Sequence, residues 1–489
     1  MRLTGLLGAV GLGFVFGTLF SVGGFYWLNI VSGVNPLDFL IMVVVLSVYY
    51  LLFALCYRLS IATAQWCMLL VAPALWVSLE YARASMFFLS LPWNFLGHSQ
   101  FRLLPVIQVA DLTGVYGISF VVLMVNQFLS EGLEVLLRSR GVRGMRSVAD
   151  LGVGRLAGQA ALVLVVVFLV LGYGYYRLGE EKSGDRVRIA IVQPNLITRD
   201  TMPLSAQTEQ LAAYGALTRE AGGGEPSLIV WPASSLPAPL ATSGLVRATV
   251  ASLAKETRAH LLVGGAGMEK AGPRRGGLLP YANSEYLIAP DGSVSSQYNK
   301  IRLVPFNEYL PLEGKIQWPK WITTLKHSLV PGDTYTLFQV SQARFGVPIC
   351  WESLFPDLFR RFVAEGANLM VSVTNEGFMG RTSAPYQTLA MTCLRAVENR
   401  VAVVRSAPTG LSAFIAPTGA IEAKVEDEKG EVLFVKGALV RDVTLARNRT
   451  FYTAHGDVFA QAAVVIGALA VLAYRPFRAF LSFLRTHKA

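Results

Sequence analysis

The chain has 489 residues, of which 53% are hydrophobic and only 15% charged, with a mean hydropathy of +0.46 and a formal net charge of +11. Soluble domains carry about 25% charged residues, so this composition excludes an ordinary cytosolic globular protein and points to a chain partly embedded in lipid. Four cysteines do not make a disulfide framework. The basic excess is accounted for by membrane topology and headgroup contact and implies no nucleic-acid partner.

Taken in chain order, the first elements are apolar runs near the ~20 residues a helix needs to cross hydrocarbon. They are Leu6–Ile30, Phe39–Tyr57, Ile61–Tyr81, Leu104–Phe128 and Ala157–Tyr176, and one more, Val458–Tyr474, follows much later. Leu6–Phe20 continues into further apolar residues without a small-residue cleavage site, so it reads as an uncleaved span. Between the fourth and fifth runs lie Arg138, Arg140, Arg143, Arg146 and Arg155 against Asp150, and the tail carries Arg475, Arg478, Arg485 and Lys488. The positive-inside rule places these segments in the cytoplasm, and the globular region between the fifth and last runs therefore outside it. The expected division is a membrane bundle over 1–178, a globular domain over 179–456 and a C-terminal span with its tail over 457–489.

The middle region changes character. Arg188–Gln193, Leu228–Trp231, Leu261–Gly265, Ser284–Ile288, Ala343–Ile349, Leu369–Thr374 and Val401–Ser406 are short apolar or β-branched runs bounded by Gly, Pro or Asn, which predicts buried strands. Ser205–Glu220, Gly244–Arg258, Pro356–Glu365 and Ser383–Arg400 carry apolar residues at three- and four-residue spacing, which predicts helices between them. Alternation of the two places the region in the α/β class.

One of those strands ends on a thiol. Gly346-Val347-Pro348-Ile349-Cys350-Trp351-Glu352 finishes an apolar run on Cys350 and follows it with a carboxylate. An unpaired Cys after such a run is ordinarily an inert buried thiol. Cys56 and Cys67 fall in or beside apolar spans, and Cys393 sits at helical spacing from Leu389 and Val397, which leaves Cys350 as the reactive candidate. Two further segments stand with it: Tyr298-Asn299-Lys300-Ile301-Arg302-Leu303-Val304-Pro305-Phe306-Asn307-Glu308, and Leu228-Ile229-Val230-Trp231-Pro232-Ala233-Ser234-Ser235-Leu236-Pro237.

In order and context these three segments resemble the nitrilase superfamily, which uses a Glu-Lys-Cys triad. The apolar spans and the stretch Leu91-Pro92-Trp93-Asn94-Phe95-Leu96-Gly97-His98-Ser99-Gln100 narrow the resemblance to the apolipoprotein N-acyltransferases. The likeness covers nearly the whole chain. It implies a polytopic helical bundle plus an αββα sandwich with the catalytic residues at strand ends. It also implies a bacterial inner-membrane enzyme whose catalytic domain faces the periplasm. Such an enzyme takes an acyl chain from a phospholipid onto Cys350 as a thioester and passes it to the α-amino group of a diacylated lipoprotein. No metal or organic cofactor is implied. Gly13–Trp27 resembles the family's third span, so the resemblance is expected to begin after the first two spans of that pattern.

By the same resemblance Cys350 is the nucleophile, and Lys300 is the cation that favours its thiolate and stabilises the tetrahedral oxyanion. The backbone N–H of Trp351 is the second oxyanion donor. Glu308 and Glu352 match further carboxylates of the pattern. Asn375 matches a structural loop residue, with Phe378 and Met379 as lipid-tail contacts. Glu313–Asp333 carries Trp318, Trp321, Lys315, Lys320 and Lys326, the composition of a membrane-interface segment, and is expected to form a lid that admits acyl chains. Phe87, Phe88, Trp93 and Phe95 offer a second interface segment. The departure from the pattern is at Ala233, directly after Trp231-Pro232, where the family has its catalytic Glu. General-base catalysis is worth roughly 10²–10⁴ in rate, so turnover is expected to be impaired while binding remains. Two other readings fit the same residues: a membrane-anchored amidase releasing acid to water, and a non-catalytic lipid- or lipoprotein-binding protein.

Overall fold

The computed structural model describes residues 5–31, 34–140, 153–180, 184–197, 203–268, 281–319, 322–323, 325 and 328–473. These form two compact units, residues 30–32 and 181–454 making one and the remainder the other.

The first unit is helical: α1 (Leu6–Phe25), α2 (Pro36–Ala64), α3 (Met68–Ser85), the short α4 (Leu104–Ile107) and α5 (Ala110–Thr113), α6 (Val115–Ser139), α7 (Val153–Leu178) and a last helix, Val458–Leu472. Among the described residues, five stretches are long and apolar enough to cross a membrane: Leu6–Ile30, Pro36–Ile61, Gln65–Ser85, Val115–Leu137 and Gly154–Leu178. Helix α2 starts cleanly because Asn35 accepts from the N–H groups of Leu37 and Asp38, Asp38 accepts in return from Asn35 N–H, and Pro36 occupies the first turn. Small residues set how closely α1 approaches α2. A Cβ at Gly13 would stand 2.5 Å from Ala54 Cβ, and one at Gly17 2.9 Å from Ser47 Cα, the close approach that a small-xxx-small pair permits.

Two expectations change in this unit. The span predicted from Leu104 starts at Val115, because Gly114 takes φ +65° and separates the long helix α6 from the two single-turn pieces before it. Trp93 and Phe95 do not form an interface patch. Both are buried at 2% exposure, Arg83 donating to Trp93 O and lying 5.1 Å over the Phe95 ring, while Phe87 is 79% exposed.

The second unit is built on two six-stranded sheets. In chain order its strands are β1 (Arg186–Gln193), β2 (Leu228–Val230), β3 (His260–Met268), β4 (Tyr281–Ile288), β5 (Val294–Asn299), β6 (Phe338–Val340), β7 (Ala343–Gly346), β8 (Leu369–Val373), β9 (Val403–Ser406), β10 (Ala413–Ile415), β11 (Ile421–Lys424) and β12 (Gly437–Thr444). One sheet runs β12-β1-β2-β3-β4-β5 and the other β11-β10-β9-β8-β7-β6. Within each, three neighbouring strands are parallel, β1-β2-β3 and β7-β8-β9. Helices α8 (Leu204–Gly222) and α9 (Gly244–Thr257) bury Leu211, Tyr214, Leu217, Val250 and Leu253 against Ile229, Trp231, Leu261 and Val263 of the first sheet. Helices α10 (Pro356–Ala364) and α11 (Ala384–Asn399) pack on the second. The sheets meet directly: Ser406 Oγ donates to Val230 O at 3.5 Å, and Ser412 N donates to Gln193 Oε1 at 3.2 Å. The result is a four-layer αββα sandwich.

Every strand predicted from an apolar run is present, but the run through Ile349 leaves strand pairing at Gly346 and touches β8 again only as a single bridge, Ile349 to Val373. That departure lifts Cys350 out of the sheet.

Candidate active site

Cys350 opens a short 3₁₀ turn, Cys350–Leu354, and has φ +52°. Left-handed backbone is rare for a non-glycine residue and persists only where neighbours hold it. Here the holder is Glu352. Its buried carboxylate accepts from Ile349 N–H (2.8 Å), Ile301 N–H (2.7 Å), Arg302 N–H (2.9 Å) and the Tyr298 hydroxyl (2.9 and 3.0 Å). It thereby ties the thiol turn to the loop after β5. Arg302 reinforces the tie, bonding Asp357 with both guanidinium nitrogens at 3.0 and 2.8 Å and lying 4.1 Å over the Phe355 ring. Phe355 in turn packs edge-on against Trp351 at 5.6 Å.

Lys300 emerges from the end of β5, its N–H donating to Asn283 O and its carbonyl accepting from Gly332 N–H, each at 2.8 Å. The side chain is 1% exposed and forms an ion pair with Glu308 at 2.9 and 2.7 Å. Glu308 also accepts from Val304 N–H (2.8 Å) and Asn283 Nδ2 (3.1 Å). Burial pulls the Lys300 pKa down, but the charges of Glu308, Cys350 and Glu352 outweigh it and hold the ammonium above the usual lysine range. Burial likewise raises the Glu352 carboxyl, opposed by Lys300 and by the N–H groups it accepts from. The structure thus gathers Cys350, Lys300, Glu308 and Glu352, as the motif spacing predicted, into one cluster with the Lys300 ammonium beside a half-buried thiol. Among the other cysteines, burial pushes Cys393 up to about 12, which keeps it a thiol.

Ala233 lies buried in the turn after β2, followed by Ser234 at φ +55°. Trp231 is fixed by a bond from its Nε1 to Thr218 Oγ1 (3.0 Å) and by stacking on Tyr214 at 4.4 Å. Ser235 Oγ donates to Gly264 O (3.3 Å) and accepts from Gly264 N–H (3.1 Å), which pins the turn to β3. Beside this turn stands a carboxylate that sequence reasoning missed. Glu285, on β4, is fully buried, and neither of its oxygens has a hydrogen-bond partner among the described residues. The available signal was a lone acid inside a run predicted to be a buried strand.

Of the outlying residues, Asn375 is half-buried after β8, Met379 is buried and Phe378 is 46% exposed, so only Phe378 of that pair presents a free apolar surface. Trp318 donates from Nε1 to Pro311 O at 2.6 Å and packs edge-on to Phe306 at 4.9 Å. Trp321, Lys320 and Lys326 lie outside the described residues. Among the described residues no group of three His, Cys, Asp or Glu side chains is placed to hold a metal ion.

Residues 4–128 match the apolipoprotein N-acyltransferase N-terminal domain, and residues 188–444 match the carbon-nitrogen hydrolase family. The chain is 35% identical over 475 residues to an apolipoprotein N-acyltransferase of Geobacter metallireducens, covering 95% of this chain and 87% of that protein. It is 29% identical over 431 residues to the enzyme of that name from Chlorobaculum tepidum, covering 83% and 76%. Among solved structures it resembles an amidase from Nesterenkonia sp., with 20% identity, a TM-score of 0.39, and coverage of 57% of this chain and 94% of that one. The chain belongs to the apolipoprotein N-acyltransferase family of the carbon-nitrogen hydrolase superfamily.

Proposed function

We propose that this acyltransferase moves an acyl chain from a membrane phospholipid, through a thioester on Cys350, to the α-amino group of a diacylated lipoprotein. The observation that carries the reading is the ion pair of buried Lys300 with half-buried Glu308 next to a half-buried Cys350 in a strained turn. In the first half-reaction Sγ attacks the ester carbonyl. Lys300 and the Trp351 N–H stabilise the oxyanion, and the lysophospholipid leaves as its alcohol. In the second, the lipoprotein amine attacks the thioester, an amide forms, and Cys350 returns as the thiol. Glu308 orients Lys300, and Glu352 holds the two loops in register. The exposed Phe378 and the Trp318 segment are suited to acyl chains near the membrane surface. The arginines between α6 and α7 support a cytoplasmic loop there and a periplasmic catalytic unit in a bacterial inner membrane.

The experiment is the mass of the Cys350 peptide after incubation of the purified chain with phospholipid vesicles. Addition of one acyl chain, lost in Cys350→Ala and Lys300→Ala, is the expected result. Release of free fatty acid without transfer to a diacylated peptide would favour the amidase-like hydrolase. Lipid binding without any acyl–Cys350 would leave a non-catalytic binding protein.

A further inference from the structure

Three carboxylates, Glu285 and Glu352 buried and Glu308 half-buried, lie on the face of the first sheet that carries the site or in the loops beside it, and two are saturated. Glu308 accepts from Lys300, Val304 and Asn283, and Glu352 from Tyr298, Ile301, Arg302 and Ile349. Neither has a free lone pair positioned to take a proton in a reaction. The third is Glu285, whose two oxygens have no partner among the described residues.

Strand register puts Glu285 on that face. On β4 and β5 the pairs are Ser284 with Asn299 and Glu285 with Tyr298, and alternate residues of a strand share a face. Glu285 therefore stands on the same side as Asn283, Tyr298 and Lys300, the residues that bond Glu308 and Glu352. The carboxylate leans across β3 at the residue opposite it, Gly264. A Cβ on Gly264 would fall 2.2 Å from Glu285 Oε1 and 2.8 Å from the backbone nitrogen of Ser234. The missing side chain at Gly264 thus opens the space through which Glu285 reaches the turn that carries Ala233.

We infer that Glu285 is the general base of this enzyme, supplying from β4 the carboxylate that the Trp231-Pro232-Ala233 turn lacks. The inference rests on the acyl-transfer reading above. Glu285 takes the Sγ proton as the S–C bond forms and returns it to the departing lysophospholipid oxygen as the ester C–O bond breaks. It then takes a proton from the attacking amine and delivers it to Sγ as the thioester opens. Burial raises its carboxyl well above the usual carboxylate range, the direction that strengthens a carboxylate as a base. The titratable groups on its side of the sheet are Tyr298 of β5 and Lys300 just after it, while Tyr214 of α8, on the helix-covered side, is raised by burial and by the Glu285 charge.

The test follows the acylation of Cys350 by mass in the full chain with acyl-labelled phosphatidylethanolamine vesicles. Parent, Glu285→Gln, Glu285→Ala, Ala233→Glu and the Glu285→Ala/Ala233→Glu double variant are compared. The parent should acylate; Glu285→Gln and Glu285→Ala should be slower by about 10²–10⁴-fold without loss of folded protein. The double variant should recover most of the rate, with the acid limb of its pH–rate profile moved from the parent position. A Glu285→Gln rate equal to the parent's, in a chain where Cys350→Ala abolishes labelling, would overturn the base and leave acyl transfer standing. So would a double variant as slow as Glu285→Ala. A parent that stays unacylated while Ala233→Glu alone acylates would assign the missing base to position 233 and remove Glu285. Failure of every folded variant to acylate would remove the acyl-transfer reading itself.

Discussion

Glu352 and Glu285 are both buried acids whose carboxyls burial raises, yet their surroundings are opposite and so are the expected effects of replacing them. Glu352 holds three backbone N–H groups and the Tyr298 hydroxyl. Glutamine keeps one acceptor oxygen and turns an NH₂ toward donors, so Glu352→Gln should destabilise the catalytic unit by about 2–4 kcal/mol, read as a lowered unfolding midpoint. Glu285 has no such partners. Its pKa is raised on folding, so its contribution favours the folded state below the unfolded carboxylate value of about 4.3 and is lost as pH rises through the folded value. At neutral pH it costs stability. Glu285→Gln should therefore melt higher than the parent at pH 7–8, with the advantage shrinking as pH falls toward 4–5; a difference that does not vary with pH would contradict this. A buried acid that weakens the fold fits a functional carboxylate better than a structural one.

At the scale of elements, the site depends on where strands stop and on one glycine. Gly264→Ala would press a methyl group on the Glu285 carboxylate and on the Ser234 backbone, a clash worth about 1–3 kcal/mol. It should slow Cys350 acylation although no ionisable group changes, and acylation at the parent rate would show that the carboxylate need not occupy that corner. The same scale explains what the sequence made legible. Strands buried on both faces, such as Leu228–Val230 and Leu369–Val373, announce themselves as apolar runs. Strands β5, β11 and β12 are largely exposed or partly so, and their polar residues hide them from a search for apolar runs. Cys350, Lys300, Glu308 and Glu352 were legible as a candidate set because each sits in a motif at a strand end or in the loop that follows it. Glu285 was not, because the role proposed for it rests on a cross-strand pairing with Gly264 that spacing along the chain does not encode. The break at Gly114 escaped for a similar reason: the apolar run continues through it while the backbone turns.

Across the whole molecule, charge and hydropathy predict which side of the membrane each segment takes. Among the described residues, five stretches long enough to span precede the catalytic unit. The arginine-rich segment between the fourth and fifth carries Arg140, Arg143 and Arg146 against Asp150, and each basic residue near an anionic leaflet contributes about 1 kcal/mol to holding it there. The last helix has 15 described residues, a rise of about 22 Å against ~30 Å of hydrocarbon, so the first five spans and this loop carry the orientation argument. A cytoplasmic loop after α6 obliges α7 to deliver β1 to the opposite side. The prediction can be read with a membrane-impermeant thiol reagent in a Cys350→Ser background, where Cys393 is buried and resists ionisation up to about 12 and Cys56 and Cys67 belong to apolar helical segments. A cysteine placed by Val142→Cys should stay unlabelled in intact spheroplasts and react once they are lysed. One placed by Ser295→Cys, exposed on β5, should react before lysis. The reverse pattern would put Cys350 on the cytoplasmic side and deny the enzyme an acceptor that lies outside the membrane.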